Sequence, residues 1–152
     1  MFSGTINGVV GTSYTSEDSD LVAVENNYAA MENELQSEIG NIERTHPGYD
    51  EYRYDLDTIG HNPHELASYL TALLQSYTPE SAQAEIERIF GLQYTLTLTE
   101  EVEIRYREEE RTNTWTDEDG NEHEETYTVQ VPYEYHILNV KLTNKPISSL
   151  AE

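Results

Sequence analysis

The chain has 152 residues, and 30 acidic against 8 basic side chains leave a formal net charge of −22. Phosphate binding needs clustered lysine and arginine, so nucleic acid is excluded as a partner, and the same charge repels anionic membranes and teichoic acids. Twelve tyrosines offset a low apolar content and separate the chain from disordered acidic tails, which indicates one folded, heavily solvated domain.

Residues 1–15 (MFSGTINGVVGTSYT) have neither a basic start nor a long apolar run, so they read as a Gly/Ser/Thr linker and not as a signal peptide. No stretch of the chain approaches the ~20 apolar residues that span a bilayer. From about Glu17 to Thr45, Leu21, Val24, Tyr28, Met31, Leu35, Ile39 and Ile42 recur at steps of three or four. This spacing predicts an amphipathic helix that packs on its own domain in preference to a coiled coil, with Glu25, Glu32, Glu34, Glu38 and Glu43 on its other faces. Ser16 or Ser19 is the expected N-cap, with Asp18 and Asp20 at the positive helix end. Gly40 weakens the last turns by roughly 1 kcal/mol relative to alanine, and His46-Pro47-Gly48 stops the helix.

Tyr49 to Gly60 (YDEYRYDLDTIG) is polar and aromatic and reads as an ordered connector. Asn62-Pro63 then supplies an N-cap and a first-turn proline, predicting a helix from Pro63 to Tyr77 with Leu66, Tyr69, Leu70, Leu73 and Leu74 inward. Thr78-Pro79 repeats the signal for a helix to Phe90, with Ala82, Ile86, Ile89 and Phe90 inward and Gly91 as C-terminal cap.

After Gly91 the hydrophobic period falls to two. Tyr94, Leu96, Leu98, Val102, Ile104 and Tyr106 share one face, as an antiparallel strand wet on its other side requires. Glu108 to Glu125 is a polar tip containing Asp119-Gly120, a strong hairpin-turn signal. The return strand begins near Thr126, with Tyr127, Val129, Val131, Tyr133, Tyr135 and Ile137 on one face and Leu138, Val140 and Leu142 on the opposite parity. That switch predicts a β-bulge or bend around His136 to Leu138, and Pro132 is assigned to an edge or a second irregularity. Lys145-Pro146 ends the sheet. A ribbon of two strands is marginal alone, so its apolar face must lie on the helices. The expected fold is α+β, three N-terminal helices packed on a C-terminal antiparallel sheet built on a long β-hairpin. It forms one domain over 16–146, with linkers at 1–15 and 147–152.

Few residues point to catalysis. With no cysteine, thiol chemistry and disulfides are excluded. His61-Asn-Pro-His64-Glu65 places one histidine before a helix and the other inside it, which is not the i, i+4 face of zinc helices. The acidic run Thr116 to Glu125 lacks the spacing of a calcium loop and reads as a solvated hairpin tip. Carboxylate pairs are too abundant to be specific, and there is no nucleophile elbow. The expectation is a non-enzyme without metal or cofactor. The tyrosines are more informative, because tyrosine suits interfaces through its large area and polar end. Tyr49, Tyr52, Tyr54 and His61 form the candidate binding surface, facing a partner protein or stacking on sugar rings. The high charge predicts a monomer at low salt.

Three stretches, NIERTHPGYDEYRYDLDTIGHNPHELASYLTALLQSYT, LQYTLTLTEEVEIRYREEERT and VPYEYHILNVKLTNKP, together resemble a known type of region. It precedes the peptidase domain in cell-wall hydrolase-like proteins of Gram-positive integrative and conjugative elements, whose peptidases are lysostaphin-like or NlpC-type endopeptidases. The resemblance spans about residues 16–146. It implies an extracellular, cell-wall-facing accessory domain, membrane-anchored through another segment, with transfer-apparatus proteins or peptidoglycan as partners. It does not carry catalysis over: the H-x-H that the zinc enzymes need beside their H-x-x-x-D, and the cysteine of the other class, do not occur in this sequence.

Overall fold

The structure, a computed structural model, describes residues 15–150. The leading linker expected over 1–15 therefore falls almost wholly outside the described residues. In chain order the elements are α1 (Asp18–Gly40), α2 (Ile42–Thr45), β1 (Glu51–Leu56), α3 (Pro63–Leu74), α4 (Pro79–Gln93), β2 (Tyr94–Thr116), β3 (Glu122–Asn144) and a 3-10 turn (Ile147–Leu150). This is an α+β fold, helices first and sheet last.

The apolar stripe of α1 serves two cores. Leu21, Val24 and Tyr28 meet Leu66 and Leu70 of α3 and Ile86 and Ile89 of α4. Leu35 and Ile39, continued by Ile42 of α2, meet Leu138, Val140 and Leu142 of the sheet. The stripe thus packs within its own domain. Neither candidate serine caps α1: Glu17 is the N-cap and makes no side-chain cap bond. Ser16 is committed elsewhere, its Oγ accepting the Tyr77 N–H at 2.9 Å. Near Gly40 the helix breaks and restarts as α2, with Asn41 Nδ2 donating to the Ser37 carbonyl at 2.9 Å.

Asn62 caps α3 by accepting the His64 N–H at 2.8 Å, and Thr78 and Ser81 form a capping box on α4. Both starts follow their sequence signals; both ends depart from them. Gln75 takes φ +68, which ends α3 at Leu74, and Leu73 lies 49% exposed where it was expected inward. Gly91 caps nothing, because α4 continues to Gln93. The buried Gln93 side chain, bonded to three other segments, holds that last turn.

The sheet order is β1-β3-β2, with β1 parallel to β3 and β2 antiparallel to it. The connector from Tyr49 to Gly60 therefore contains a strand, and the sheet is mixed. The β2–β3 ladder keeps one register from Tyr94↔Asn144 to Thr116↔Glu122, so the bulge expected near His136 to Leu138 does not exist. The parity switch in β3 has another cause. Even-numbered residues of the hairpin face the helices at the body, where Leu96, Leu98, Leu138, Val140 and Leu142 pack. Odd-numbered Tyr133 and Tyr135 face the other way, beneath arginines of β2.

The strands also run through most of the stretch expected as a polar tip, leaving a short turn in which Gly120 has φ +85. There the Gly120 N–H donates to the Asp117 carbonyl at 3.0 Å and the Asp117 N–H to the Asn121 carbonyl at 2.9 Å. The 3-10 turn is packed and not a free linker, since Ile147 is buried in the helical core. No helix is long and apolar enough to cross a membrane, among the described residues.

Candidate interaction surface

The four expected binding residues divide into two environments. Tyr52, Tyr54 and Leu56 recur at period two along β1 and take the helix-facing side, in register with Leu138, Val140 and Leu142. The Tyr52 hydroxyl donates to the His46 carbonyl at 2.6 Å, and that of Tyr54 to Glu43 Oε2 at 2.8 Å. Burial together with the Glu43 carboxylate pushes the Tyr54 phenol up to about 12. Tyr49 meets Tyr52 edge-on, ring centroids 5.7 Å apart. The three tyrosines thus gather at the edge formed by β1 and α2.

His61 is elsewhere and buried, with only 4% of its side chain exposed. It lies between two carboxylates about two turns apart on α1. Nδ1 is 2.9 Å from Glu32 Oε2, and Nε2 is 2.8 Å from Glu25 Oε1. Burial alone would lower the imidazole pKa, but hydrogen bonds and charge from both carboxylates outweigh it and raise the value to about 9. Both nitrogens then donate, and the buried group is an imidazolium held by two acceptors. Tyr94 donates to Glu32 Oε2 at 2.5 Å, and Tyr28 lies edge-on to the imidazole with centroids 4.7 Å apart. Tyr28 also donates to Gln93 Oε1 at 2.5 Å, and Gln93 Nε2 reaches Asn144 Oδ1 at 3.0 Å. This network pins the loop before α3 to α1, the end of α4 and both ends of the hairpin.

Glu25 and Glu32, expected on faces other than the apolar stripe, are both buried, at 5% and 8%. Their spacing was a usable signal, because positions 25, 28 and 32 share one helical face with the apolar stripe. His64, by contrast, is exposed in the first turn of α3. Among the described residues, no group of three or more His, Cys, Asp or Glu is arranged to hold a metal ion. An open groove of about 880 Å³ beside the network is lined by residues including Asp57, Asn62, His64, Gln93 and Asn144.

Several of the exposed large hydrophobic residues lie on the hairpin beyond the body. β1 covers β3 only from Ile137 to Leu142, so the earlier part of β3 pairs with β2 alone. At ~3.4 Å per residue this arm reaches about 45 Å. Its two faces differ in kind. On the odd face, Arg105 stacks over the Tyr135 ring at 3.5 Å and bonds Glu103 at 2.9 Å, while Glu109 pairs with Arg107 at 3.0 Å and Arg111 at 3.1 Å. The ion pairs run along β2, whereas the stacking of Arg105 and Arg107 on Tyr135 and Tyr133 crosses to β3 and stiffens a ribbon with no layer beneath it. On the even face, Val102, Ile104 and Tyr106 are 52%, 56% and 62% exposed. They continue the side that packs on the helices but extend past them.

Comparison with known proteins finds no match to a family description, a curated protein or a solved structure.

Proposed function

We propose that this chain is an interaction module: a non-catalytic, extracellular accessory domain of a conjugative-element cell-wall hydrolase. It positions the hydrolase or docks it to transfer-apparatus proteins. The observation that carries the interaction reading is the row Val102, Ile104 and Tyr106, each more than half exposed on a long arm. Contiguous exposed apolar side chains of this kind mark protein contacts. The engagement of both His61 nitrogens by carboxylates supports a structural role for the most buried histidine. The wall-hydrolase context rests on the sequence resemblance.

A second reading, a peptidoglycan-binding module, draws on Tyr54, which is 42% exposed beside Tyr49 and Tyr52. One comparison separates the two. The purified chain is offered sacculi and, separately, the extracellular parts of transfer proteins encoded with it. Retention by the proteins alone is expected. Retention by sacculi that disappears in Tyr52→Ala plus Tyr54→Ala would favour carbohydrate binding. Release of wall fragments by the chain alone would contradict both.

A further inference from the structure

The two long edges of the arm are not equivalent. Along β3, even-numbered residues turn their backbone groups toward the β1 side: the His136 N–H donates to Asp50 Oδ2 at 2.7 Å, its carbonyl accepts the Asp50 N–H at 2.8 Å, and the Leu142 carbonyl accepts the Asp57 N–H at 3.0 Å. Pro132 shares that parity, so its nitrogen faces the stretch of edge that β1 leaves uncovered. A proline there costs the ladder nothing and interrupts any strand that would add alongside. Tyr106 is paired with Pro132. Because Pro132 cannot donate across, that pair is of the non-hydrogen-bonded kind, in which both residues turn their backbone groups outward. Tyr106, Ile104 and Val102 therefore present N–H and C=O groups on the outer edge of β2. No proline lies in β2, and among the described residues no other strand pairs with its outer edge.

The same three residues carry the exposed apolar row, and its flanks have one sign of charge. Glu100, Glu108 and Glu110 extend the row along β2, and Glu134 stands opposite Ile104. Arg105, Arg107 and Arg111 are all odd-numbered and belong to the other face. A second copy of this chain would bring acid against acid there, as would an anionic surface.

We propose that the outer edge of β2 around Val102 to Tyr106 accepts an extended segment of a partner protein as an added strand. That segment carries apolar side chains at alternate positions, flanked by basic ones. Main-chain hydrogen bonds to β2 supply the attachment, and the alternate side chains supply selectivity over Val102, Ile104 and Tyr106. The inference rests on the interaction-module reading and specifies the mode and the chemistry of the partner.

The probe is a capped nonapeptide, Lys-Thr-Val-Thr-Val-Thr-Val-Thr-Lys, whose lysines fall beside Glu100 and Glu108 when its valines lie beside the apolar row. Nuclear magnetic resonance of the full chain follows its titration. The expected result is saturable shifts and slowed amide exchange at Val102, Ile104 and Tyr106, at least tenfold weaker for a peptide with glutamates in place of lysines. Ile104→Pro removes an outward N–H without touching the ladder, and Ile104→Lys places a charge in the row. Each is expected to weaken the probe at least tenfold while resonances of Tyr28 and His61 stay in place. Equal binding to both variants, shifts on the β3 edge or the odd face, no saturable binding, or equal affinity for a nonapeptide of lysine and threonine alone would each overturn the proposal. If the probe fails while an authentic transfer protein still protects the arm, strand addition falls and the interaction reading stands.

Discussion

At the scale of single residues, His61 decides most. Its folded pKa is raised from 6.5 to about 9 despite burial, because Glu25, Glu32 and the surrounding hydrogen bonds favour the charged ring. The titratable neighbours facing it are Glu25, Tyr28 and Glu32 from α1 and Tyr94 from β2. A group with a raised folded pKa stabilises fully below its unfolded value and loses that contribution as pH rises through the folded one. Stability is therefore expected to fall between about pH 6.5 and 9, by on the order of 3 kcal/mol. Urea unfolding at pH 6 and pH 9.5 measures it, and His61→Gln should remove most of the difference. Removing the imidazolium leaves two buried carboxylates, so His61→Ala is expected to cost about 3 to 5 kcal/mol at pH 7. Tyr94→Phe deletes the donor to Glu32 and the acceptor of the Gly60 N–H, and about 2 kcal/mol is the expected loss by the same titration. These partners were only half legible in sequence. Helical spacing puts positions 25, 28 and 32 on one face, but nothing local says that a histidine from a distant loop fills the space between them.

At the scale of elements, starts were readable and ends were not. Asn62-Pro63 and Thr78-Pro79 act through their own side chains and residues two or three further on, so the sequence signal is the whole mechanism. The end of α4 depends on Gln93 reaching Asn144 and Tyr28, which are far along the chain, and Gly91 next to it misleads. β1 escaped notice because its acidic and arginine residues dominate the composition, although Tyr52, Tyr54 and Leu56 alternate as a strand should. In the hairpin, both faces carry apolar residues for different reasons, helix packing on one and arginine stacking on the other, so a parity switch needed no bulge. Pro132 is the most telling element-scale feature, guarding one edge without disturbing the ladder. Pro132→Thr restores an outward donor and a β-branched side chain. The expected result is an unchanged fold with increased self-association in 0.5 M salt, where screening over about 4 Å or less weakens repulsion. Light scattering against the parent chain reads it, and an unchanged association state would show that Pro132 does not protect that edge.

For the molecule as a whole, charge and shape act together. A net charge of −22 on a chain this size opposes contact between copies. At low ionic strength the chain is expected to sediment as a monomer; a stable dimer there would mean that the apolar row pairs with itself. The acidic composition disfavours anionic partners, and the long arm adds an asymmetry that composition could not reveal. Basic side chains of the hairpin lie on the face that is closed by its own contacts, and the open face is apolar and acidic. A cationic protein surface suits it, and peptidoglycan stacking would have to use the separate tyrosine edge at β1 and α2.

Hydrogen exchange on the full chain, alone and with the extracellular parts of the transfer-apparatus proteins proposed as its partners, tests the assignment of the arm as the contact surface most directly. Protection gained at Val102 to Tyr106, with little change at Tyr49 to Tyr54, is the predicted result. Protection confined to Tyr49 to Tyr54 would contradict it.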